Sequence, residues 1–343
     1  MPELASKLEF LQSPQAYGDP GLQVLSLETH MSWVFLVGEE VFKLKKPVRF
    51  PFLDFSTLAA REHFCREELR LNARLAPDVY RGLMALQWAD GGFSLVPESD
   101  LQAGSNASSD TVDWLVCMRR LPATRMLDHL LTQKQVGTED VDAITQLLTN
   151  FYSDAPAALV SPADYLSRFQ CEQASTREVL LRPQFQLPQA ALAINRLGMA
   201  LAAGAEMLHE RARQHRVLDG HGDLRPEHIC LLHPPVAIDC LEFNPQLRQV
   251  DPFDELAYLA LECAVAGSPW VGERLLRGCA DALHDHPPPA LIHLYSAHRA
   301  LLRARLAMAH LLDAAPRTPA RWAPQATRYI THALVALDAF NCP

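Results

Sequence analysis

The sequence predicts an α+β protein of two lobes, a small antiparallel sheet followed by a larger, mainly helical lobe. Two patterns predict it. Apolar residues alternate with period two through the first third of the chain, and the helical period of 3.6 dominates after Leu121-Pro122. A strand-rich front followed by a helical back is the layout of an α+β fold.

Taken in order, residues 22–27 and 33–37 are short apolar runs, and Gly38-Glu39 makes a turn. Residues 40–45 resume the alternation, with Val41, Lys43 and Lys45 on one face and Phe42 and Leu44 on the other. Asp54 or Ser56 then caps a helix that runs to about Leu75 and is stopped by Ala76-Pro77. Residues 83–86, 93–96 and 113–118 predict further strands, and residues 98–110, rich in Ser, Asp, Asn and Gly, a loop. Helices are expected over residues 141–151, 163–180, 190–214, 253–266, 271–283, 291–312 and 325–339. The stretch Met118-Arg119-Arg120-Leu121-Pro122 is the natural joint, giving an N-lobe over 1–120 and a C-lobe over 121–343.

At 343 residues, 49% hydrophobic and 21% charged, the chain can bury a core in each lobe. A net charge of −9 argues against nucleic acid as a main partner, because a phosphate backbone needs a basic footprint. The cluster Lys43, Lys45, Lys46 and Arg49 suits one small phosphate ligand instead. Met1-Pro2-Glu3-Leu4-Ala5 lacks the basic and apolar regions of a signal peptide, and the longest apolar run, near 190–208, is broken by Asn195, Arg196 and Glu206. Eight scattered cysteines form no CxxC pair. These features predict a reduced, cytoplasmic protein with no membrane partner.

The chemistry concentrates in His221-Gly222-Asp223-Leu224-Arg225-Pro226-Glu227-His228 and in Ala237-Ile238-Asp239. Two carboxylates, Asp223 and Asp239, stand sixteen residues apart, each at the edge of a short apolar run. Such a pair suits magnesium binding and the direction of a hydroxyl at a nucleotide phosphate. The pattern resembles the catalytic and metal loops, HGDxxxxN and a following Asp, of the aminoglycoside phosphotransferase and choline kinase family. That resemblance implies a protein-kinase-like fold and an ATP- and Mg2+-dependent kinase whose acceptor is a small-molecule hydroxyl.

The resemblance assigns Asp223 to the acceptor hydroxyl, with His221 and Arg225 beside it as further catalytic candidates, and Asp239 to magnesium. His228 stands where the family places Asn as a metal ligand. Imidazole is a poor partner for magnesium, so either Glu227 substitutes, a single metal suffices, or the site is weakened. Lys43 in Val41-Phe42-Lys43 takes the place of the phosphate-gripping lysine, and Glu67, with Glu68 a close second, that of its acidic partner on the following helix. Thr29-His30-Met31-Ser32, between the first two strands, has no glycine, but Ser32 offers a hydroxyl and an N–H to phosphate. Met118 at the joint completes the nucleotide candidates.

Asp251-Pro252-Phe253-Asp254-Glu255-Leu256-Ala257 resembles the family's DPxxDLA run, where Asp251 and Asp254 are expected to cap and brace. Glu242 is placed to approach the metal or the acceptor. Tyr295, Arg299 and Arg303 recur every four residues and read first as a solvated face. The signatures LKKPVRFPFLDF and IDCLEFN suggest an uncharacterised bacterial branch whose members often carry an additional P-loop ATPase domain; no GxxxxGKS/T occurs here. Two alternatives stay open. One is a nucleotide-binding pseudokinase acting through protein partners, and the other a transition-metal hydrolase built on His209, His221, Asp223, His228 and Asp239.

Overall fold

The computed structural model describes residues 2–50, 52–101, 110–313 and 316–340. Its elements run α1 (Leu4–Gln12), β1 (Val24–Glu28), β2 (Ser32–Val37), β3 (Glu40–Lys45), β4 (Arg49–Phe50), β5 (Leu53–Asp54), α2 (Leu58–Asn72), β6 (Tyr80–Ala89), β7 (Gly92–Pro97) and β8 (Thr111–Arg119). Then follow α3 (Leu127–Thr132), α4 (Thr138–Asp154), α5 (Pro162–Leu180), α6 (Ala190–Ala203), α7 (Ala205–Arg213), β9 (Leu218–Asp219), β10 (Ile229–Cys230) and β11 (Val236–Ala237). The chain closes with α8 (Pro245–Arg248), β12 (Gln249–Val250), α9 (Pro252–Val265), α10 (Pro269–Ala282), α11 (Pro289–Ala309) and α12 (Pro319–Phe340). Of the predicted loop at 98–110, Glu98–Asp100 forms a 3-10 turn and residues 102–109 lie outside the described residues.

The chain packs as two compact units. The first holds residues 1–123 together with 236–246, the second residues 124–235 and 247–343. The division near residue 120 therefore has an exception the sequence did not signal: the Asp239 segment belongs to the first unit.

In the first unit six strands form one antiparallel sheet in the order β1-β2-β3-β8-β6-β7. The alternation in β3 sorts its side chains as expected. Phe42 and Leu44 join Leu11, Phe35, Val37, Leu86 and Leu115 in one buried cluster, with Leu4, Leu8 and Phe10 of α1 packed against it. Lys43 and Lys45 point the other way, toward Glu68 of α2. The cap of α2 is Thr57, whose hydroxyl accepts from the Ala60 N–H at 3.1 Å, while Asp54 instead accepts from the N–H and hydroxyl of Ser56.

In the second unit α9 is buried along almost its whole length. Its acids explain the polar stripe of α11, which is not a solvated face. Tyr295 donates to Asp251 at 2.9 Å, Arg299 holds both oxygens of Asp254 at 2.7 and 2.6 Å, and Arg303 reaches Glu262 at 2.8 Å. Two helices with matching polar registers thus neutralise each other, which one helix read alone does not reveal. Asp251 also caps α9 through the Phe253 N–H and takes Arg211, which bridges on to Asp285.

The run predicted as one helix over 190–214 is two, α6 and α7, bent by 53°. Gly204 stands at the break, where a Cβ would come within 2.9 Å of the Leu294 side chain. Among the described residues no single helix is long and apolar enough to cross a membrane.

Candidate functional site

The charged centre of the first unit is Lys43. Its ammonium lies 2.8 Å from Glu68 Oε1 and 2.8 Å from Asp239 Oδ1. Burial alone would lower its pKa, but Asp239, Glu68 and Glu242 outweigh that and hold it well above the ordinary lysine value. Lys43 is therefore a fixed cation. Glu68 is fully buried; desolvation favours its neutral form, yet Lys43 and Lys45 pull it below the ordinary carboxylate value.

The partner of Lys43 is Glu68 and not Glu67. Arg61, Cys65, Glu68 and Asn72 form the inward face of α2 at helical spacing, whereas Glu67 is rotated away and pairs with Arg70 at 2.9 and 2.7 Å. The phase of Cys65 and Leu71 in the sequence was the available signal.

Asp239 takes a left-handed backbone conformation with φ +61°, which Asp tolerates better than most residues. Two groups that sequence reasoning missed hold it there. The Tyr80 hydroxyl accepts the Asp239 N–H at 3.2 Å, and the Asn72 side chain accepts the Cys240 N–H at 2.8 Å. The Asp239 side chain is 47% exposed, so this hard oxygen donor is open to solvent on one side. Magnesium accepts one or two protein carboxylates and completes its shell with phosphate and water oxygens, and Asp239 fits that demand.

Glu242 does not offer a free carboxylate. It is buried and pairs with Lys45. Ser32 does not offer an N–H to phosphate either: it is 3% exposed, and its N–H is taken by the Thr29 hydroxyl at 3.0 Å in a tight turn. Met118 lies within β8, buried, between Val41 and Tyr80 in register.

In the second unit the loop from His221 to His228 is pinned from below by Glu255. This carboxylate accepts the backbone N–H groups of His221, at 3.1 Å, and of Gly222, and the Tyr152 hydroxyl at 3.0 Å. Gly220 permits the approach, since a Cβ there would lie 2.8 Å from a Glu255 oxygen. Leu224 anchors the loop in the core.

Asp223 is thereby held with its side chain 31% exposed. Arg225 donates to Oδ2 at 2.8 Å, and the Tyr258 hydroxyl stands 3.5 Å from Oδ1. Burial pushes the Asp223 carboxyl up, but Arg225, His228 and His221 outweigh it and keep it below the ordinary value. The group is an ionised acceptor at neutral pH. His221 is fully buried, its Nδ1 accepting the Asp223 N–H at 3.3 Å, so it shapes the loop from inside.

His228, at the position of the family's metal ligand, is held within the loop. Its Nδ1 lies 2.8 Å from the Asp223 carbonyl oxygen, which can only accept, so Nδ1 carries the proton. The remaining lone pair on Nε2 faces the Arg225 guanidinium at 3.2 Å. Both ring nitrogens are engaged. Among the described residues no group of three or more His, Cys, Asp or Glu side chains is arranged to hold a metal ion, which leaves the transition-metal reading without a ligand set.

Solved structures give the fold its place. The choline kinase of Cryptosporidium parvum superposes with a TM-score of 0.59 at 9% identity, covering 97% of this chain and 96% of that one. A thermostable mutant of aminoglycoside phosphotransferase APH(4)-Ia gives 0.57 at 11% identity over 98% and 99% of the two chains. A choline/ethanolamine kinase family protein from Mesorhizobium loti gives 0.55 at 13% identity over 98% and 100%.

The chain has the choline kinase and aminoglycoside phosphotransferase fold.

Within that fold its similar sequences are uncharacterised proteins of Mycobacterium tuberculosis and Mycobacterium bovis. Each is 29% identical over 329 aligned residues, covering 90% of this chain and 60% of the relative. The chain thus spans about 60% of the length of the curated relatives it matches. No family model matches it.

Proposed function

We propose that this chain is an ATP- and magnesium-dependent phosphotransferase that moves the γ-phosphate of ATP to a hydroxyl of a small molecule. The observation that carries the reading is Lys43, a fixed cation clamped between a fully buried Glu68 and a half-open Asp239. Such an ammonium can exchange the Asp239 oxygen for a phosphate oxygen without losing its anchor. Its solved neighbours in this fold are small-molecule kinases, and the reading extends that activity class to this chain.

In this reading Lys43 grips the α- and β-phosphates and Glu68 positions it. Asp239 would hold magnesium, which supplies charge neutralisation at the phosphates when bound. Asp223 accepts the hydrogen bond of the acceptor hydroxyl and orients it, and Arg225 keeps that carboxylate ionised. His221 and Glu255 shape the loop, and His228, in place of Asn, ties the Asp223 carbonyl to Arg225.

The test is ADP release from MgATP across a panel of hydroxyl compounds, with phosphorus NMR to identify the product. A new phosphomonoester resonance that grows as ADP appears is the expected result. Magnesium-dependent nucleotide binding with no transfer to any acceptor would favour the pseudokinase alternative, which the glycine-free turn and His228 motivate.

A further inference from the structure

Lys45 has no role in the scheme above, yet it is among the most deeply buried charged groups in the protein, at 1% exposure. It shares a face of β3 with Lys43, and residues two apart on a strand stand roughly 7 Å apart. Both ammonium groups draw on one carboxylate: Glu68 Oε1 lies 2.8 Å from Lys43, and Oε2 lies 2.6 Å from Lys45. Lys45 has one further carboxylate, Glu242, and Lys43 has Asp239. The five side chains form a run, Asp239–Lys43–Glu68–Lys45–Glu242, whose two ends are three residues apart in sequence.

We infer that Lys45 and Glu242 are positioning residues that keep Glu68 available to Lys43. This rests on the nucleotide-binding reading of Lys43. Two cations buried side by side need two carboxylates that do not leave. When Lys43 releases Asp239 to a phosphate, Glu68 is its remaining anchor. Glu68 can serve it because Glu242 neutralises Lys45 from the other side. Without Glu242 the buried Lys45 has only Glu68, and it draws both carboxylate oxygens toward itself. Lys43 then turns to Asp239 and is lost to the phosphates.

The shared Glu68 predicts an outcome that a purely structural role for Lys45 and Glu242 does not share. Glu242→Gln is expected to weaken MgADP binding, and to raise the KM for ATP, by about tenfold with kcat little changed, since the α- and β-phosphates are gripped equally in the ground and transition states. Lys45→Met/Glu242→Gln removes the competitor along with its counter-ion and is expected to bring MgADP binding back to within about threefold of the parent chain. Residues that served only packing would give a double variant as weak as the single one or weaker.

The experiment is calorimetric titration of MgADP into the full chain, with melting temperatures taken on the same samples and Glu67→Gln as the control on the outer face of α2. Weak binding by Glu242→Gln that recovers in the double variant supports the inference. If Glu242→Gln does not fold, the double variant carries the test through the same recovery. Binding by Glu242→Gln within about twofold of the parent, or no recovery in the double variant, overturns it while leaving the nucleotide reading intact. A parent chain that does not bind MgADP overturns both.

Discussion

Asp223→Ala is expected to lower ATP turnover by on the order of a thousandfold while MgADP still binds, because one positioned proton acceptor contributes about that much. The separation of effects follows from where the groups sit. Asp223 belongs to the helical unit, whereas Lys43, Glu68 and Asp239 belong to the sheet unit and keep their mutual ion pairs without it. Asp223→Asn should fail equally, since an amide accepts no proton.

The acid limb of the rate adds a second check. The Asp223 carboxyl is held below its ordinary value, chiefly by Arg225 against the opposing effect of burial. Its ionised form therefore persists as pH falls through the range where an ordinary carboxylate protonates, and the loss of rate comes only below that range. Arg225→Gln should move this limb to higher pH. An Asp223→Ala enzyme with an unchanged rate would remove Asp223 from the chemistry.

Glu255→Ala is expected to be the most damaging single change to the loop from His221 to His228. The carboxylate is fully buried and accepts two backbone N–H groups and the Tyr152 hydroxyl. Truncation leaves three donors unmet, two of them buried and the Gly222 N–H half-buried, at about 1–3 kcal/mol each, so a loss of roughly 4 kcal/mol is expected, with some relief from entering water. In a unit of this size that corresponds to a fall in melting temperature of roughly 10 °C. The freed loop should also lose turnover. Scanning calorimetry measures the first effect, and a melting temperature within a degree or two of the parent would show that the loop does not depend on Glu255.

The sequence made some of this legible and concealed the rest for physical reasons. Strand alternation marked Lys43 and Lys45 as one face because that face is fixed by the pleat. The choice between Glu67 and Glu68 depended on the phase of α2, which Cys65 and Leu71 carry but a charge run obscures. Ser32 looked available because the turn between β1 and β2 is exposed in sequence terms. Its N–H was already committed to the Thr29 side chain three residues away.

The polar stripe of α11 reads as a solvated face in sequence because its partners, Asp251, Asp254 and Glu262, lie on another helix about forty residues earlier. Glu255 hid in plain view inside a recognised motif. Its role is to receive backbone N–H groups, which leave no mark in a side-chain pattern. His228 stands out in sequence as a departure from the family's Asn, but only its hydrogen bonds show that both ring nitrogens are engaged within the loop.

The central claim, that Lys43 is a phosphate grip completed by Asp239, is tested most directly by titrating MgADP into the parent chain and into Lys43→Met, with and without magnesium. The expected result is one saturable site that weakens sharply when magnesium is withheld and is lost in Lys43→Met. Absence of binding by the parent chain, or equal binding by Lys43→Met, would contradict it.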